Sequence, residues 1–161
     1  HRHVAGLFPP LTGNDRAQCR RDGVEAALAG FGVHIPEIWD IETPYSVAAA
    51  KQAVTQLLSH GELPTALICG NDVLAWGALH ALSRAGLNVP GDITVTGIGD
   101  FKGSRGFEPA LTTVRIPARQ IGAKAAKAIA TRITAADAEI TGEHVIPVLV
   151  QRDTCAPVAH V

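Results

Sequence analysis

Residues 65–86 read TALICGNDVLAWGALHALSRAG. Residues 65–70 are a short continuous apolar run, the pattern of a strand covered on both faces in a parallel sheet. Asn71-Asp72 follows at the strand's carboxyl end. A short polar side chain there can accept from the free N–H groups of a helix's first turn, and Asp72 is read as that cap. Residues 73–85 are read as the helix, with Gly86 as its stop signal. Strand, polar turn and helix in this order are the first half of a parallel crossover unit.

Outward from this stretch the same alternation repeats. Residues 3–8 are a buried strand bounded by Pro9 and Pro10, followed by the turn formers Thr12, Gly13 and Asn14. Residues 16–31 are read as a helix in which Cys19, Gly23, Ala26, Ala27 and Gly30 fall at helical spacing, and Gly32 ends it. Residues 38–41 suit a short strand. Residues 46–60 are a helix with Val47, Ala50, Val54, Leu57 and Leu58 on one face, and Gly61 ends it. On the other side, residues 92–98 form a β-branched strand and residues 111–116 an extended segment. An Ala-rich helix covers residues 121–133, residues 134–143 are loop-like, residues 145–150 form a last strand, and residues 157–161 are a loose tail. No internal repeat or low-complexity segment occurs.

The strand–helix alternations imply right-handed crossovers and a mostly parallel α/β sheet. Ligands in such sheets bind outside the carboxyl ends of the strands. That rule selects three loops, residues 9–20, 70–72 and 97–106.

Composition narrows the function. Of 161 residues, 47% are hydrophobic and 18% charged, as in a globular domain. Lys and Arg number 14 against 15 Asp and Glu, so direct nucleic-acid binding by this stretch is not expected. No apolar run approaches a membrane span, and the first residues lack a signal peptide's apolar core. Cys19, Cys69 and Cys155 are sparse and odd in number, which favours a reducing compartment, the cytoplasm. The seven His residues, His160 among them, show no metal-ligand spacing, and no metal or cofactor is expected. Catalytic motifs are missing too, with no G-x-S-x-G, P-loop or HExxH, and Glu42, Asp72 and Asp100 fall on separate loops. An enzyme is therefore not expected.

Three stretches resemble the lactose-repressor family of transcription regulators: ALICGNDVLAWGALHALSRAG at 66–86, VPGDITVTG at 89–97 and EPALTTVRIPARQIG at 108–122. The closing VIPVLVQRDT resembles the family's final strand and its Arg-x-Ser/Thr signature. The resemblance covers nearly the whole chain. It implies the periplasmic-binding-protein-like fold, a three-layer sandwich on a mostly parallel sheet, in which two lobes are joined by crossing strands. Residues 3–108 and 144–152 would be mainly the second, C-terminal lobe, and residues 111–135 the segment that returns to the first. Most of the first lobe and the DNA-binding headpiece would lie outside this chain, as in a shortened protein.

The resemblance also assigns residues. Arg20, three residues before Gly23, would face the cleft, where a guanidinium fork suits vicinal oxygens or a carboxylate; a solvated surface Arg beside Arg16 and Arg21 is the alternative. Asn71 can donate and accept at once, as hydroxyl recognition needs; it could instead be a simple turn residue. Tyr45 would stack an aromatic ring on a sugar's apolar face, or merely pack beside Pro44. In GIGDF, relatives commonly carry two acidic positions, the first of which grips sugar hydroxyls; here that position is Gly99, and Asp100 either binds ligand or holds the loop. Losing that carboxylate removes repulsion toward an anion. GIGDF resembles gluconate-type regulators, so the expected effector is a sugar or, first, a sugar acid. A homodimer is implied, with Leu74, Gly77, Ala78, Ala81, Phe101 and Phe107 at its interface and a seam of small residues on the helix. Operator DNA would be bound through the headpiece alone. The alternative is a periplasmic sugar-binding protein serving a transporter.

Overall fold

The structure is a computed structural model that describes residues 1–135 and 137–158. His160 and the end of the expected tail lie outside the described residues. Six strands are described: β1 (Val4–Phe8), β2 (Asp40–Glu42), β3 (Ala66–Cys69), β4 (Thr94–Gly99), β5 (Thr112–Arg115) and β6 (Val148–Val150). They form one sheet in the order β2-β1-β3-β4-β5-β6, with all neighbours parallel except β6, which is antiparallel to β5. This is the mostly parallel α/β sheet that the sequence implies.

Four helices join the strands: α1 (Asp15–Ala29), α2 (Val47–Leu57), α3 (Asp72–Arg84) and α4 (Ala118–Thr134). The chain steps from β1 to β2 in one direction, then from β2 past β1 to β3 and β4 in the other. Right-handed crossovers therefore put α1 on one face and α2 and α3 on the opposite one. Ala50, Val54 and Leu57 of α2 are buried, as their spacing predicts. The helix pair is close because of Gly77. A Cβ there would lie 2.5 Å from both Ala50 Cβ and the Val47 carbonyl oxygen, so a side chain would push α2 and α3 apart.

Two expectations need correction. Asn71, not Asp72, caps α3, as Asn14 caps α1: Asn71 Oδ1 accepts from Leu74 N at 3.0 Å. Asp72 is the first residue of α3 and is fully buried. The small residues Cys19, Gly23, Ala26, Ala27 and Gly30 of the first helical region face solvent. Val24 and Leu28 pack on the core instead and Ala17 is buried, because branched side chains remove more apolar surface from water. Finally, Leu74, Gly77, Ala78 and Ala81 are buried within this chain, where α3 meets α2. That small-residue seam joins two helices of one chain and has no surface left for a partner.

β5 runs parallel to β4 from Thr96↔Thr112 to Gly99↔Arg115, so the segment expected to return to a first lobe begins inside this sheet. Beyond it the character changes. None of the residues of α4 is buried, and Ile129, Ile133, Ile146 and Leu149 are all exposed.

The two sequence motifs that close the chain are interlocked. Thr112 N donates to Thr154 Oγ1 at 2.9 Å, Thr154 Oγ1 donates to the Val95 carbonyl at 2.7 Å, and Arg152 N donates to Thr112 Oγ1 at 2.9 Å. Buried hydroxyls thus hold residues 152–154 against β4 and β5.

Candidate functional site

The parallel register aligns the carboxyl ends of β1 and β3, with Leu7 opposite Cys69 and the Gly70 N–H donating to the Leu7 carbonyl at 2.8 Å. Gly70 is required there, since a Cβ would lie 2.9 Å from the Phe8 ring. Arg20 reaches across from α1 and donates from Nη1 to the Gly70 carbonyl at 2.9 Å. Its other guanidinium N–H groups have no partner among the described residues and can bind a ligand's oxygens. Asn71 is 1% exposed; with Oδ1 occupied by the cap, its Nδ2 is buried without a partner among the described residues. A buried orphan donor is rare in folded chains and calls for an acceptor, from a ligand or from water.

Tyr45, between β2 and α2, is 52% exposed. Partial burial pushes its phenol up, Arg20 pulls it down and Asp72 pushes it up again. Arg20 and Asn71 thus stand at the end of β3, and Tyr45 in the loop between β2 and α2.

Asp100 belongs to a different group. It follows β4 with φ 54, the one positive φ outside glycine among the described residues. Its Oδ2 accepts from Arg115 Nε at 2.6 Å and its Oδ1 from Arg152 Nη2. Burial pushes the carboxyl up, but the hydrogen bonds and charges of Arg152 and Arg115 outweigh it and hold the group below its ordinary value. A carboxyl depressed on folding adds stability above its unfolded value near 4 and loses it as pH falls through the lower folded value. The unmodified chain should therefore exceed Asp100→Asn in urea midpoint by a constant amount from about pH 7 to about pH 5, and the gap should close below about pH 4.

Position 99 has no room for a side chain. Gly99 has φ 144, and a Cβ there would lie 2.9 Å from the Phe101 ring. Phe101 fills the place a side chain would take, so no carboxylate can stand there without moving the ring.

Asp72 ties the two groups together. Its Oδ2 accepts from Phe101 N at 2.9 Å and Ser104 Oγ at 2.5 Å, and its Oδ1 from Thr113 Oγ1 at 2.5 Å. Thr113 Oγ1 also accepts from Asp100 N at 3.4 Å. A Cβ at Gly97 would meet Asp72 Oδ1 at 2.5 Å. Sequence reasoning missed Gly97, Ser104, Thr113, Arg115 and Arg152 as parts of this framework. The LTTV and QRDT motifs were the available signal, and their hydroxyls and guanidinium explain the pattern.

Another surface lies on the exposed side of α3. Trp76 stacks on Phe107 with centroids 5.9 Å apart and meets Phe101 edge-on at 6.2 Å, and His80 meets Phe107 edge-on at 5.4 Å. Of the residues expected at an interface, Phe101 and Phe107 are on this surface; Phe101 is 41% exposed.

Two hollows lie elsewhere. One of about 580 Å³ lies between α4 and residues 139–145. The other, of about 390 Å³, lies between the end of α3 and residues 107–109. No group of three or more metal-ligating side chains occurs among the described residues, and no helix there is long and apolar enough to cross a membrane.

Comparison with known proteins fits this geometry. The family described as periplasmic binding protein-like domain matches residues 1–155. The HTH-type transcriptional repressor PurR of Erwinia tasmaniensis is 34% identical over 156 residues, which are 97% of this chain and 46% of the repressor. A sugar-binding transcriptional regulator of the LacI family from Escherichia coli, complexed with phosphate, superposes with a TM-score of 0.86 at 25% identity, covering 96% of this chain and 55% of that one. The dimeric Lac repressor with an 11-residue C-terminal deletion gives 0.87 at 29% identity, covering 96% and 55%. The chain thus spans about half the length of the curated relatives it matches.

Proposed function

Because the chain belongs to the periplasmic-binding-protein-like domain family, we propose that it is the effector-binding and dimerisation region of a lactose-repressor-family transcriptional repressor. The observation that carries this reading is the placement of a half-free guanidinium, Arg20, and a buried orphan donor, Asn71 Nδ2, at the carboxyl end of β3, with an exposed ring, Tyr45, in the loop between β2 and α2. Such a set grips oxygens from one side and packs a ring on C–H groups from another. The named relatives are repressors and a sugar-binding regulator, which supports the same reading.

The effector is a small sugar acid of the gluconate type. Two features support that choice: Arg20 supplies a cation, and Phe101 over Gly99 keeps a carboxylate out of the site. The effector lies between two lobes and favours one of their arrangements, because its affinity for the two differs. Operator DNA is bound by paired helix-turn-helix headpieces outside this stretch. The copies of a homodimer meet through Phe101, Phe107, Trp76 and His80, aromatic side chains of the kind enriched at interface centres. The protein works in the cytoplasm, with Cys19, Cys69 and Cys155 as free thiols.

A thermal-shift screen of the full-length protein tests the ligand class. D-Gluconate at about 100 times its dissociation constant is expected to add roughly 2.7 kcal/mol of stability. Neutral hexoses and purine bases are expected to add none. Stabilisation by a neutral hexose alone would contradict the sugar-acid reading.

A further inference from the structure

β5 and β6 are the strands by which the chain leaves the sheet for α4 and comes back. One carboxylate sits where both meet the body. Asp100 is just past β4, Arg115 ends β5, and Arg152 follows β6 by two residues. The Asp100 side chain is 6% exposed, with one oxygen on Arg115 and the other on Arg152. Arg152 is itself fixed: its Nη1 donates to the Leu111 carbonyl at 2.7 Å and its backbone N–H to Thr112 Oγ1 at 2.9 Å. Arg115 is the more exposed member, at 44%. Asp100, for which ligand binding and loop holding were both open, is fully engaged inside the chain. On the far side of the clamp, none of the residues of α4 is buried, so its packing does little to hold it to this body.

We infer that Asp100 is a positioning residue for the connecting strands: by gripping Arg115 and Arg152 together it fixes the direction in which β5 and β6 leave the sheet, and so the orientation of α4 relative to the face that carries Arg20, Tyr45 and Asn71. Charge-assisted hydrogen bonds are short and directional, and two on one carboxylate define an angle as well as a distance. The backbone serves the same end. At φ 54 the residue points its carboxylate back across the strand ends, a conformation that Asp and Asn tolerate better than most side chains. Few residues at element ends absorb hinge motion in two-lobed proteins, and this clamp stands at such ends. Ligand contact falls to the group around β3, and Asp100 sets the geometry in which that group is presented. The clamp itself does not depend on the proposed effector; its use in signalling does.

The test needs no effector and no operator, so it stands or falls separately from the proposed function. Asp100→Asn keeps the left-handed backbone and the side-chain volume while removing the charge. In the full-length protein with Cys19→Ser and Cys155→Ser, spin labels go on exposed Gln52 of α2 and exposed Ala126 of α4. Their distance distribution, read by pulsed electron resonance, is expected to be a single narrow maximum. Asp100→Asn is expected to broaden it, whereas an unchanged distribution would overturn the inference. Should that variant not fold, exposed Arg115 serves instead. Arg115→Gln is expected to broaden the distribution and Arg115→Lys to restore it, because Lys keeps a charge on Asp100. Equal distributions for the Gln and Lys variants would likewise overturn it, since mere loss of bulk or packing cannot tell a charged Lys from a neutral Gln in this way.

Discussion

Replacing Asp72 by Ala is expected to lower stability by about 3–5 kcal/mol, the upper end of what single substitutions do. The carboxylate is fully buried and accepts from Phe101 N, Ser104 Oγ and Thr113 Oγ1. Ala strands all three donors and leaves a hollow under Gly97, which packs against the carboxylate. Each buried donor left without a partner costs on the order of 1–3 kcal/mol, although the two hydroxyls can turn elsewhere. Asp72→Asn separates the causes. Its amide oxygen can take the place of Oδ2 and still accept from both Phe101 N and Ser104 Oγ, and the Thr113 hydroxyl can rotate to accept from the amide NH2 that replaces Oδ1. A loss of about 1–2 kcal/mol is expected for Asn. Urea denaturation measures both, with the midpoint falling and the slope unchanged. A loss below about 1 kcal/mol for Ala would mean that the carboxylate does not hold the loop between β4 and β5.

Replacing Arg20 by Met is expected to weaken effector binding by roughly 150- to 20,000-fold, because hydrogen bonds to a charged group are worth about 1.5–3 kcal/mol each and two are removed. Met keeps much of the apolar stem, so the loss comes from the guanidinium. Stability should fall by only about 1 kcal/mol, for the one bond to the Gly70 carbonyl. Arg20→Lys keeps the charge without the planar fork, and is expected to recover only part of the affinity. Isothermal titration with D-gluconate on the full-length variants measures this. If Met and unmodified protein bind equally, Arg20 is a strut between α1 and β3 and the ligand lies elsewhere.

Local pattern made much of the fold legible. The apolar run at 65–70, the spacing of Ala50, Val54 and Leu57, and the glycines after each helix all report on neighbours a few residues away. The three strand-end loops followed from topology alone; Arg20 and Asn71 belong to two of them, whereas Tyr45 follows β2, outside all three. What was not legible depends on partners distant in sequence. Asn71 and Asp72 are both able caps, and only the position of Thr113, forty-one residues on, decides which of them turns inward. Leu74, Gly77, Ala78 and Ala81 look like a docking seam on an isolated helix; Ala50 on α2 already occupies it. Asp100 carries the same letter whether it binds ligand or arginine, and Arg115 and Arg152 come fifteen and fifty-two residues later. Polar networks of this kind have no period to read.

The most direct test is operator binding by the full-length protein, titrated with and without saturating D-gluconate. The account predicts that the ligand changes operator affinity by about 5- to 150-fold, the usual span of such coupling, and that operator changes ligand affinity by the same factor. A protein that binds the ligand while holding operator with unchanged affinity, or binding no operator at all, would contradict it and favour a solute-binding role.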